Sequence, residues 1–180
     1  SKPKNRPRGQ LADYLDYSPL DENLLGLSKE LNYSYGSPWA CQTPLFALLT
    51  TNKYWQALDY IIDLTNDLVA RIFKDKRRNE QLNEVKIYLR HGKSNIQYGN
   101  YSLWGLYRGA VHITYPYVMQ SMHMALERIL LNLADDKKCD DIVKASFDRI
   151  LSHSESVSLT AIVASVVLAH PERYSEYAIN

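Results

Sequence analysis

The sequence predicts a mainly α fold, stacked solenoid-like pairs of helices that carry one small β-hairpin near residues 84–104. Three observations lead there. Two long stretches, Tyr54 to Ile72 and Val118 to Leu133, place apolar residues at the three- and four-residue spacing of an amphipathic helix. Between them the period drops to two, where Val85, Ile87 and Leu89 alternate with Lys86, Tyr88 and Arg90. Further on, Val157 to Leu168 is apolar around nearly its whole circumference and must be covered on all sides, as helices inside stacked arrays are. No strict internal repeat period accompanies this pattern.

Residues Ser1 to Arg8 are rich in Lys, Arg, Pro and Asn and hold nothing apolar, which predicts a flexible basic arm over residues 1–10. A single helical domain over 11–180 follows it. Leu11, Tyr14, Leu15, Leu20, Leu24, Leu25 and Leu31 suggest two short helical stretches broken near Pro19, and Tyr33 to Trp39 is rich in turn formers. Thr43 and Pro44 read as an N-cap and a first-turn proline, opening a short helix with Leu45, Leu48 and Leu49 inward. After a break at Thr51 and Asn52, the first long helix turns Tyr54, Trp55, Leu58, Ile61, Ile62, Leu68, Val69 and Ile72 inward, with Asp59, Asp63 and Asp67 opposite. Its basic end, Arg71 to Arg78, suits the negative terminus of a helix as well as an external anion.

In the hairpin, Gly92 supplies the turn, and Ile96, Tyr98 and Tyr101 form the return strand. Gly99, Gly105 and Gly109 would each cost a helix about 1 kcal/mol. Pro116 then fits a first turn, and Val118, Met122, Ala125, Leu126, Ile129, Leu130 and Leu133 line one face of the second long helix, which ends near Asp135 and Asp136. Asp140 or Asp141 begins another helix with Ile142, Val143, Phe147, Ile150 and Leu151 inward. Ser154 is placed to cap the apolar helix, and Pro171 stops that helix after His170, before a new start at Glu172. A chain that opens without methionine and ends on a helix start reads as a segment of a longer protein.

Composition narrows the function classes. An apolar share of 46% and a charged share of 23% fit an ordinary globular chain. A formal net charge of +1 gives no whole-chain field to recruit nucleic acid or anionic membrane. Cys41 and Cys139 form no metal-ligand spacing and read as reduced, buried thiols. Serines and a threonine interrupt the Val157 to Ala169 run, which falls short of the roughly 20 residues that span a bilayer, and no secretory signal opens the chain. These features predict a cytoplasmic location and no membrane partner.

Gly92 precedes Lys93 and Ser94, but Ile87 stands where the first glycine of a phosphate-cradling G-x-x-x-x-G-K-[ST] loop would be, so no such loop is present. His91, His112, His123, His153 and His170 are scattered, with no HExxH or Cys-x-x-Cys, and no serine sits in a nucleophile elbow. We therefore expect no catalytic, cofactor-binding or metal-binding residues. His123 and Glu127, one helical turn apart, read as an ordinary surface pair. The unusual feature is a cluster of rings around one arginine: Tyr98, Tyr101, Trp104, Tyr107, Arg108 and Tyr115 form a candidate protein-binding patch, with His112 and Tyr117 beside them. The bland alternative is that these rings cover the long helices.

Several phrases in order resemble the helical region of large bacterial STAND-type (NACHT-like) NTPases of antiviral defence, beyond their ATPase core. They run from Thr43-Pro-Leu-Phe-Ala-Leu-Leu through Ala57-Leu-Asp-Tyr-Ile-Ile-Asp-Leu-Thr-Asn, Trp104-Gly-Leu-Tyr-Arg-Gly and Met122-His-Met-Ala-Leu-Glu-Arg-Ile-Leu to Ser154-Glu-Ser-Val-Ser-Leu-Thr-Ala-Ile-Val-Ala-Ser-Val and His170-Pro171. The resemblance implies a non-catalytic scaffold or sensor segment acting by protein–protein interaction. Its partners would be the rest of the parent chain or a phage protein, and any oligomer would form through the parent NTPase. The Walker motifs and an effector domain are absent from this chain, so ATPase activity is not carried over. The competing expectation is a nucleic-acid-binding module using the basic arm, Arg71 to Arg78 and Arg108, for which strongly salt-dependent binding is the signature.

Overall fold

The computed structural model describes residues 44–74, 82–89, 92–100, 103–104, 106–107 and 117–178. Expectations for the basic arm, the 11–43 stretch, the Thr43 cap, Cys41, the 76–78 basic run and Pro116 lie outside them. Within them the fold is mainly helical with one two-stranded antiparallel sheet, as the periodicities require.

Helix α1 (Pro44–Leu49) stops because two threonine hydroxyls take its last carbonyls. Thr50 Oγ1 donates to Ala47 O at 2.8 Å and Thr51 Oγ1 to Leu48 O at 2.9 Å, while Thr51 Oγ1 accepts from the Lys53 amide. Helix α2 (Tyr54–Lys74) buries Leu58, Ile61, Ile62, Leu68, Val69 and Ile72 on one face. Two residues expected inward, Leu48 and Trp55, are instead exposed. Trp55 lies edge-on to Tyr54 with the Arg149 guanidinium 5.9 Å from its ring centre, so contacts at its rim replace full burial. The basic end of α2 is partly used within the helix, where Arg71 pairs with Asp67 at 2.7 Å.

Strands β1 (Asn83–Tyr88) and β2 (Ser94–Gly99) pair from Asn83 with Gly99 to Tyr88 with Ser94. The turn needs Gly92, whose φ is +75°. The hairpin is shorter than 84–104 because β2 ends at Gly99 and a helical turn begins at Leu103. Asn100 drives the switch: its Oδ1 accepts from the Leu103 amide at 2.8 Å and its carbonyl from Trp104 at 2.9 Å.

Helix α3 (Tyr117–Asp135) lies against α1 and α2 and against the two helices that follow, α4 (Asp140–His153) and α5 (Val157–Ala169). A 3-10 turn at Lys137–Cys139, capped by Asp136, precedes α4 and leaves Cys139 a free, half-buried thiol instead of a buried one. Ile142, expected inward on α4, is exposed. The cap of α5 is Ser156, not Ser154, because Ser156 Oγ is the group that accepts from the Ser158 amide. Helix α5 is not covered on every side either, since Leu168 is 79% exposed. Helix α6 (Pro171–Tyr174) opens on its proline and latches back on the corner between α3 and α4. There Arg173 donates to Ala134 O and Asp140, Tyr174 donates to Asp140 at 2.7 Å, and Phe147 meets the edges of Tyr174 and Tyr177.

The hairpin packs through the β2 face that carries Asn95, Gln97 and Gly99. A Cβ built on Gly99 would sit 2.8 Å from one Val157 methyl and 3.2 Å from the other. A branched side chain has no free rotation to yield, so Gly99→Ala should destabilise the chain by about 1–3 kcal/mol in urea unfolding. Val157→Ala in the same chain should return most of that loss; a neutral Gly99→Ala would mean the strand stands off α5.

Candidate functional site

The Trp104 turn is built from the Asn100 cap outward. Leu103 and Leu106 are fully buried and anchor it, which leaves Trp104 standing out at 49% exposure. Its ring lies 6.0 Å from that of Tyr107, tilted by 59°. Tyr107 is half-buried, and its hydroxyl donates to Glu127 Oε1 on α3 at 3.1 Å. Ser165 Oγ on α5 donates to the same oxygen. A presented tryptophan is thereby tied through a buried carboxylate to two helices.

Of the predicted patch, the structure brings Trp104 and Tyr107 together. Tyr98 is half-buried and spends its ring on Phe73 of α2, edge to face with centres 4.6 Å apart, which is the covering role. Tyr101, Arg108 and Tyr115 lie outside the described residues.

The reading of His123 and Glu127 as a surface pair is overturned, since both are buried. His123 Nδ1 lies 2.7 Å from the Met119 carbonyl, which can only accept, so Nδ1 carries the proton. His123 Nε2 then accepts from Ser158 Oγ at 3.0 Å, and Ser158 Oγ meets Ser156 Oγ at 2.9 Å. The distance between Ser158 and His123 would suit a nucleophile and its base, but neither side chain has any exposed surface. Here the pair pins α5 to α3. Sequence could have hinted at it, because Ser158 interrupts an otherwise apolar run, but nothing in the run names His123 as its partner.

No group of three or more His, Cys, Asp or Glu side chains suited to a metal occurs among the described residues, and no helix among them is long and apolar enough to cross a membrane. A shallow groove of about 540 Å³ runs between the turn joining α1 to α2 and helices α3 and α4, lined by Thr51, Trp55, Ile129, Leu133 and Ile142. No family model matches the chain, and no curated protein matches it.

Burial holds the His123 imidazole down to about 4, against the smaller opposing effect of its bond to the Met119 carbonyl. Unfolded, the same imidazole returns to its ordinary value of about 6.5 and takes up a proton that the folded chain refuses. Its contribution to stability is therefore complete above about pH 6.5 and is lost as pH falls toward about 4. Urea unfolding of wild type should lose about 2 kcal/mol more than His123→Gln between pH 7 and pH 4.5. Equal losses would mean the ring is not held neutral.

Proposed function

We propose that the chain is a non-catalytic helical scaffold or sensor segment of a large bacterial STAND-type antiviral NTPase, acting in the cytoplasm by protein–protein interaction. The observation that carries this reading is Trp104, half exposed on a turn whose neighbours are anchored. An exposed tryptophan normally costs solvation without return, whereas tryptophan and tyrosine are among the residues enriched at interface hot spots, and here the two stand side by side. The ordered phrases from Thr43 to Pro171 that resemble such NTPases support the assignment of the parent protein. The hydrogen bonds of His123, Ser158 and Glu127 support a structural use for the polar groups that sequence alone leaves free for chemistry.

Binding of the chain to purified phage virion proteins tests the reading. Trp104→Ala should weaken capture of the cognate protein at least tenfold, since hot-spot tryptophans carry about 2 kcal/mol or more. Capture that is equal for both chains, or absent for both, removes the Trp104 surface from the function. Binding to DNA or RNA that collapses between low and moderate salt would favour the nucleic-acid reading instead.

A further inference from the structure

Among the described residues, strand β1 is hydrogen-bonded on one side only, to β2. The Leu89 amide donates to the Lys93 carbonyl at 2.8 Å, so that pair is a bonded one. Alternation along the register then makes Ile87 with Asn95, Val85 with Gln97 and Asn83 with Gly99 the bonded pairs. The amides and carbonyls of Glu84, Lys86 and Tyr88 consequently point away from β2. On the other edge of the sheet the same alternation turns the Tyr98 amide outward, and there the Glu155 carbonyl takes it at 2.7 Å. Nothing among the described residues does the same for β1.

We propose that this edge docks a second copy of the chain through antiparallel pairing of the two β1 strands, with the twofold axis passing between the two Val85 residues. The charge pattern selects both partner and register. With the axis at Val85, Glu84 stands opposite Lys86 of the second copy and Lys86 opposite its Glu84, two opposite-charge cross-strand pairs on one face. Moving the axis to Lys86 or to Glu84 sets like charges face to face. Charged side chains usually blunt a sheet edge against pairing. Here their alternating signs disfavour the Glu84 and Lys86 registers, and only an axis at Val85 sets Glu84 against Lys86 twice. The strand is thus complementary to itself.

The other face agrees. Val85 lies on the same face of the sheet as Gln97, its partner on β2, yet is 38% exposed. In the Val85 register it meets its own symmetry mate in a non-bonded pair, where side chains approach most closely. A groove of about 360 Å³ lies under this edge, lined by Ile87, Thr160, Val163, Ala164, Val167 and the protruding Leu168. The added strand extends the roof of that groove, turning an exposed apolar surface into a covered one.

Sedimentation equilibrium of the full 180-residue chain tests the proposal. Wild type should show reversible monomer–dimer exchange. Lys86→Glu and Glu84→Lys, each alone, should weaken the dimer at least tenfold, since both pairs become repulsive. An equimolar mixture of the two variants should dimerise like wild type, because each pair is then again of opposite sign. Both positions face solvent, and unchanged melting temperatures exclude misfolding as the cause. A wild type that stays monomeric at every attainable concentration overturns the proposal. So do single reversals that leave the dimer intact, or a mixture that fails to restore it.

Discussion

The structure hangs on the connection between α4 and α5, residues 154–156, where the backbone turns without a helix or sheet ladder to take up its polar groups. A buried amide or carbonyl left alone costs as much as a hydrogen bond returns, so the segment folds only if side chains come to it. Two asparagines do. Asn66 of α2 donates to the His153 carbonyl and accepts from the Glu155 amide, both at 2.8 Å, mimicking a strand neighbour. Asn95 of β2 donates to the carbonyls of Leu151 and Ser154. With the Tyr98 amide bonded to the Glu155 carbonyl, this short segment is joined to the outer edge of β2 by a single parallel bridge between Tyr98 and Ser156. The first long helix, the hairpin and the last helical pair are fixed to one another at that point.

That constraint explains which parts of the fold the sequence announces. The long helices are legible because their stripes repeat over many turns and report burial directly. The hairpin is legible as a change of period and a glycine at its turn. Its docking face is not, because Asn95, Gln97 and Gly99 would read as the solvent side of a strand beside Ile96 and Tyr98. Hydrogen bonds to the connecting segment and a close approach to Val157 invert the usual rule. The exposed Leu48, Trp55, Ile142 and Leu168 fail for a related reason: an apolar residue at the rim of a stripe is inside or outside according to where the neighbouring helix ends, which spacing does not record.

The candidate site divides along the same line. Ring density around residue 104 is visible in composition, and so is the suspicion that it binds. Which ring is presented and which is spent depends on partners remote in sequence: Tyr98 is taken by Phe73, Tyr107 by Glu127. The burial of His123 and Glu127 follows from the approach of α5, whose serines lie 35 and 38 positions further along the chain.

Helix α5 shows what those serines accomplish. Its side chains are so uniformly apolar that packing alone would accept several rotations about its axis, and uniform cores lose uniqueness before they lose stability. Three hydroxyls remove the ambiguity, each reaching a different neighbour. Ser158 bonds to His123, Thr160 donates to Gln97 of β2 at 2.6 Å, and Ser165 donates to Glu127. Ser158 is fully buried and the other two are half-buried, and a hydroxyl shut away from water without a partner is penalised more than a made bond is rewarded. Only one rotation satisfies all three. The same hydroxyls join α5 to the hairpin on one side and to the carboxylate beneath Tyr107 on the other, so a shift of α5 at either surface has to break a hydrogen bond shared with the rest of the fold.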